Sequence, residues 1–200
     1  MKLGLLADIH EDVERLRTAL DTFSPLGVDR VVVLGDVVGR GARIAETCRL
    51  LDEAQAVGVW GNHDFGLCVD VDLATREQYS TAVIDTLGRL RPRLEIDGCH
   101  FTHVEPWRNP EKCADLWYFD GPPDRPGNLT RIFGATTCRI AFAGHYHQWL
   151  LCRPDGIDAW QGERPVLLAD GRYFVVVGAL CEGRFATYDT ELSELTPYNL

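Results

Sequence analysis

The chain predicts a layered α/β fold, and three observations predict it. Apolar runs rich in Val, Ile and Leu alternate with segments of helical periodicity through the first half. Those runs are continuous, as expected of parallel strands covered on both faces. The final third offers short strands and no helical pattern.

The elements follow in order. Residues 2–7 read as the first strand. A helix runs from about Asp12 to Thr22, because Val13, Leu16, Ala19, Leu20 and Phe23 recur at helical spacing and Asp12 is a standard cap. The Pro25/Gly27 break precedes a strand at 30–34. A second amphipathic helix over 42–54 carries Ile44, Cys48 and Leu51, a strand follows at 56–60, and 77–90 reads as a third helix with Ala82, Val83, Leu87 and Leu90 on one side. Residues 94–103 read as a strand, followed by an irregular stretch from Glu105 to Asn128. Further strands are expected at 139–143, 149–152, 165–168, 173–178 and 184–188. The irregular stretch holds Pro106, Pro110, Pro122, Pro123 and Pro126, yet also Trp107, Trp117, Tyr118 and Phe119, more aromatic surface than a flexible linker needs. Two readings stay open for it: a lid or substrate wall, or a loop pinned by aromatics that cover the core.

With 200 residues, 46% of them hydrophobic, the chain can bury one core, so residues 1–200 are expected to form a single domain with an excursion at about 105–128. A formal charge of −10 argues against an extended nucleic-acid surface, although positive charge brought by metals would be hidden in that total. The first candidate ligand is residue 8, which leaves no room for a cleavable leader, and no apolar run has membrane length; a cytoplasmic protein is expected. Seven scattered cysteines (Cys48, Cys68, Cys99, Cys113, Cys138, Cys152, Cys181), with no C-x-x-C pair, read as reduced, mostly packed thiols.

Five segments carry the chemistry: LGLLADIH ending at His10, VVVLGDVVGRG around Asp36, VGVWGNHD around Asn62, CHFTHVEP around His103, and IAFAGHYHQ around His145. Each reads as a buried strand entering a loop that bears metal-ligand residue types. In open α/β sheets sites form beyond the carboxyl ends of strands, so five loops meet in one place. Oxygen and imidazole donors without thiolate suit Mn, Fe, Zn or Ni rather than a structural cysteine-rich zinc site. His100 stands at an odd offset from His103, on the opposite face of a strand, and reads as a surface or packed residue. Lys2, Arg89, Arg91 and Arg93 form no basic stripe.

Asp8-Ile9-His10, Gly35-Asp36, Gly61-Asn62-His63-Asp64, the lone His103 and Gly144-His145-Tyr146-His147 together resemble the calcineurin-like metallophosphoesterase superfamily, most of all its small bacterial and archaeal phosphoesterases. The resemblance implies two packed mixed β-sheets flanked by helices, a four-layer α-β-β-α sandwich. It implies two divalent metal ions, Mn²⁺ foremost, with Fe, Zn, Ni or Mg as the other candidates. Asp8, His10, Asp36 and His147 would hold one ion and Asp36, Asn62, His103 and His145 the other, so Asp36 bridges. The implied nucleophile is a hydroxide made at the metals, since such ions lower the pKa of water toward neutrality. By the same resemblance His63 is a catalytic general acid or phosphate-steadying group, and Arg40 a fork donor to phosphate.

Two departures bear on specificity. Where phosphoprotein phosphatases place an Asp that orients the catalytic histidine, this chain has Gly39, with Asp64 as a candidate substitute; and Val104 and Glu105, not Gly, follow His103. The expectation is therefore hydrolysis of a small phosphodiester or nucleotide. Its alternatives are a phosphoprotein (Ser/Thr) phosphatase and a non-catalytic scaffold that keeps the fold.

Overall fold

The computed structural model describes residues 1–117, 123 and 125–200; Tyr118, Phe119 and Pro122 of the excursion lie outside them. Chain order is β1 (Lys2–Leu6), α1 (Val13–Phe23), β2 (Arg30–Leu34), α2 (Ile44–Glu53), β3 (Val57–Val59), α3 (Phe65–Cys68), α4 (Leu73–Gln78), α5 (Thr81–Leu87), β4 (Leu94–Ile96), β5 (Cys99–Phe101), α6 (Cys113–Trp117), α7 (Asn128–Gly134), β6 (Ile140–Ala143), β7 (Leu150–Arg153), β8 (Gly156–Ile157), β9 (Val166–Leu167), β10 (Tyr173–Val176), a 3₁₀ turn at Leu180–Glu182, β11 (Arg184–Asp189) and β12 (Glu194–Asn199). The strands form two six-stranded mixed sheets, β3-β2-β1-β11-β12-β9 and β4-β5-β6-β10-β7-β8. Within them β1, β2 and β3 are mutually parallel, as are β5, β6 and β10.

The side-chain alternation of a strand explains the layers. Leu3, Leu5, Val32 and Leu34 point between the sheets and meet Phe101, Phe142, Val175 and Leu151. Leu6, Val31 and Val33 point the other way, onto α1 and α2 through Leu16, Ala19, Cys48 and Leu51. On the second sheet Ala141, Ala143, Phe174 and Val176 turn outward beneath Ile132 of α7. Central strands are thus covered on both faces, which is why they read as unbroken apolar runs. The result is the expected α-β-β-α sandwich.

Several elements differ from their sequence expectation. The single strand expected at 94–103 is a two-strand hairpin: Leu94 pairs with Phe101 and Ile96 with Cys99 around Asp97-Gly98, both with positive φ (48° and 76°). Asp-Gly is the favoured pair for such a two-residue turn. The helix expected at 77–90 is split, because the Ser80 side chain accepts from the Val83 N–H and caps α5 afresh. Within the irregular stretch α6 forms, α7 follows it, and β12 was not anticipated. Pro197 in β12 lies beyond the two residues at which β9 pairs with that strand, where a missing N–H is tolerated. Asp12 caps α1 as expected, accepting from the Arg15 N–H at 3.0 Å. The cysteines are all free thiols, Cys48, Cys99 and Cys152 buried and only Cys113 exposed. Among the described residues no helix is long and apolar enough to cross a membrane.

Candidate metal centre

The carboxyl ends of β1, β2, β3, β5 and β6 deliver the five motif loops to one end of the sandwich, where main-chain bonds knit them together. Asp8 donates its N–H to Gly35 (3.1 Å) and His10 to Asp36 (2.9 Å), and Gly144 donates to His103 (3.1 Å). The loops turn sharply. Of the ten non-glycine residues with positive φ among those described, six lie here: Asp8, His10, Glu11, Asp36, His145 and His147. Each left-handed residue costs about 1 kcal/mol or more, so the backbone strain is concentrated where the side chains converge.

Seven predicted donors do converge. His10 Nδ1 donates to the Val38 carbonyl at 3.0 Å and His147 Nδ1 faces the Glu182 carboxylate at 3.2 Å. Those bonds assign both protons and leave two Nε2 lone pairs facing each other 3.3 Å apart. Asp36 Oδ2 lies 3.7 Å from His10 Nε2, and Asp8 Oδ1 lies 3.6 Å from His147 Nε2. In the adjoining group His103 Nδ1 is held by the Leu34 carbonyl at 2.7 Å, so its Nε2 faces Asn62 Oδ1 (2.9 Å), His145 Nδ1 (3.3 Å) and Asp36 Oδ1 (3.5 Å). His145 Nδ1 is in turn 3.0 Å from Asn62 Oδ1. Asp36 touches both groups.

This pocket holds more acceptors than protons and so demands positive charge. Burial works against a charge on His103, yet the Asp36 carboxylate beside it outweighs burial and lifts it to about 9. Burial pushes Asp8 up to about 7 against the pull of His103. Asp36 is held below the usual carboxylate range: burial opposes this, but the His103 charge and the hydrogen bonds from His103 and the His63 N–H prevail. Burial, with His103 next to it, depresses His145 to about 4. A proton meets part of the demand; divalent cations facing all the acceptors at once meet it better. The donor set therefore fits two such ions.

Around the donors the structure shows roles that the sequence did not assign. Buried Glu11 accepts three main-chain bonds, from Gly39 (2.9 Å), Gly41 (2.7 Å) and Arg43 (2.7 Å), and so shapes the loop that carries Arg40. Glu182 fixes His147, and no motif announced it. Asp64 does not turn toward His63: its two oxygens accept from the Val38 and Gly61 N–H groups, both at 2.9 Å, clamping the second and third loops. A Cβ at Gly39 would stand 2.5 Å from the His10 carbonyl oxygen, so main-chain packing leaves no room for an Asp there. Val104 and Glu105 are buried, and Glu105 pairs with Arg108 at 3.6 Å.

The two predicted non-ligands are placed differently from the donors. His63 is exposed beside His10 (ring centroids 4.9 Å apart), and Trp117 also contacts it, at 5.1 Å. Arg40 is exposed, four residues after Asp36 in the same loop. His100 is buried and packed, its Nδ1 3.4 Å from Glu95 and apart from the seven donors. The basic side chains thought not to form a stripe have separate local partners, Lys2 the Leu26 carbonyl and Arg89 Asp52.

Comparison with known proteins identifies the fold and the family. A metallophosphoesterase from Sphaerobacter thermophilus superimposes with a TM-score of 0.80 at 21% identity, covering 100% of this chain and 88% of the other. A structure described as a novel archaeal phosphodiesterase gives 0.60 at 16% identity over 100% of both chains. In sequence, an uncharacterised protein of Methanocaldococcus jannaschii is 30% identical over 82 residues, 41% of this chain and 34% of that protein, so the match spans about a third of the relative's length. The calcineurin-like phosphoesterase superfamily domain matches residues 1–191, a family of hydrolases that use divalent metal ions, and the chain belongs to it.

Proposed function

We propose that this chain hydrolyses small phosphate esters, diesters or nucleotides foremost, at a centre of two divalent cations. Asp8, His10, Asp36 and His147 would hold one ion and Asn62, His103 and His145, with Asp36 shared, the other. The observation that carries the reading is the two groups of lone pairs facing one another across Asp36, with the outer nitrogens of His10, His103 and His147 already bonded. Cations bound there supply an activated water at working pH and offset charge on the phosphoryl oxygens.

The chain's own residues do the rest. His10 and His103 are oriented by carbonyls of the second strand and its loop, and His147 by Glu182. His63 stands beside the donors with an open face, in reach of a leaving oxygen. Water loses a proton to solvent as its oxygen adds to phosphorus, the P–O bond to the alcohol breaks, the His63 proton ends on the departing oxygen, and His63 regains a proton from solvent. Arg40 meets a non-reacting phosphate oxygen from the rim. Manganese is the preferred ion and the cytoplasm the expected compartment. The close approach of Gly39 to His10 leaves no space for the acid that phosphoprotein phosphatases place there, which favours small substrates over phosphoproteins.

The test is hydrolysis of bis-p-nitrophenyl phosphate, p-nitrophenyl phosphate and a phosphopeptide by metal-stripped protein reloaded with Mn²⁺, alongside Asp36→Asn. Metal-dependent turnover, highest on the diester and lost in the variant, is expected. A phosphopeptide turned over far faster would overturn the substrate reading. Two metals bound without turnover of any ester would favour the scaffold.

A further inference from the structure

We infer that Trp117 is a stacking platform for a nucleobase on the leaving-group side of the substrate, so that this site takes nucleoside phosphate esters; the inference rests on the phosphoesterase reading above. Trp117 is 55% exposed, although tryptophan ordinarily buries most of its surface. Its exposure is built in rather than incidental. The preceding residue, Leu116, is fully buried in the helix-side core, which turns Trp117 outward. The segment leading into α6 is pinned: Trp60 Nε1 donates to the Pro110 carbonyl at 2.9 Å, and the Asn109 N–H donates to Asp115 at 3.1 Å. Trp60 immediately precedes the Gly61-Asn62-His63 loop, so the element that presents His63 also anchors the helix that presents Trp117.

His63 is in ring contact with both His10 and Trp117. His10, a donor of the metal centre, lies 4.9 Å from His63, and His63 lies 5.1 Å from Trp117, tilted by 51°. A substrate with phosphorus at the donors and its leaving oxygen at His63 extends next over the open face of the indole. A planar base has a face to stack there, and such stacking is strong and tolerant of which base it is. An alkyl group such as glycerol has none.

Calorimetric titration of the Mn²⁺-loaded protein with uncleavable phosphonate analogues of AMP and of β-glycerophosphate, CH₂ replacing the ester oxygen, tests this, using wild type, Trp117→Ala and Trp117→Phe. The AMP analogue is expected to bind roughly tenfold more weakly or worse to Trp117→Ala and within about twofold of wild type to Trp117→Phe. The glycerol analogue should bind all three alike. Unchanged binding of the AMP analogue in Trp117→Ala, equal losses for both ligands, or a wild type that does not prefer the AMP analogue would each overturn the platform. Because binding is read without turnover, its failure is separable from failure of the phosphoesterase reading, which the ester assays decide. In those assays Trp117→Ala should raise KM for nucleoside esters with kcat little changed.

Discussion

The donors at the strand ends and the residues at the rim share one mouth but are held in opposite ways. Asp8, Asp36 and His103 are buried, several donors sit on left-handed backbone, and His10, His103 and His147 each have their outer nitrogen bonded. His63, Arg40 and Trp117 are exposed. Cations are bound by groups whose geometry is fixed beforehand, so strain and burial are tolerated there. Groups that must meet a substrate keep a free face.

The sharpest contrast is between Asp36→Asn and His63→Ala. The first removes the charge shared by both donor groups, and turnover should fall by about 10³-fold or more with loss of bound metal. The second should keep both metals while kcat falls about 10²–10³-fold. Metal content by plasma emission spectrometry beside kcat separates them; a His63→Ala protein that lost its metals would erase the distinction. Protons compete for the same donors. His103, lifted to about 9, and Asp8, lifted to about 7, carry protons below those values, so Mn²⁺ must displace them. Affinity should therefore rise with pH toward 9, with protons released on binding, and calorimetry in buffers of different ionisation enthalpy reads this directly. Affinity independent of pH would show that the donors are not the ligands.

Glu182→Gln, which weakens the hold on His147 directly and through the Arg184 pair, should cost about 10-fold in metal affinity and leave ester KM unchanged. A change confined to KM would move Glu182 to the substrate side. The smallest effect concerns the thiols. Burial pushes Cys48 and Cys99 up to about 12, while Cys113 is exposed, so iodoacetamide at pH 8 should label Cys113 first and leave activity intact. Mass spectrometry of the labelled peptides checks it.

The donors were legible because each motif follows a buried strand, and a parallel strand both announces itself as an apolar run and ends at the site. Asp12 was legible as a cap for a similarly local reason. Glu11, Asp64 and Glu182 were not, because each acts on main chain or on a ring brought from a distant loop, and no spacing in sequence encodes that. Asp64 shows the difference well: adjacency to His63 suggested an orienting role, whereas folding aims its carboxylate at two backbone N–H groups. The hairpin at 94–101 was within reach, since Asp-Gly is its signature. Helix α7 and strand β12 depend on covering an outer sheet face and extending a sheet edge, which are properties of the assembled layers.

By itself the sequence determined the family, the α/β class, the donor types and the loops that bear them, because residue chemistry and strand periodicity are local. The tertiary structure decided which lone pairs face each other, which carboxylates clamp loops instead of binding ions, and that an indole 54 residues along the chain from His63 stands over it. Those are distances between chain segments, set by how two sheets pack and where their ends meet.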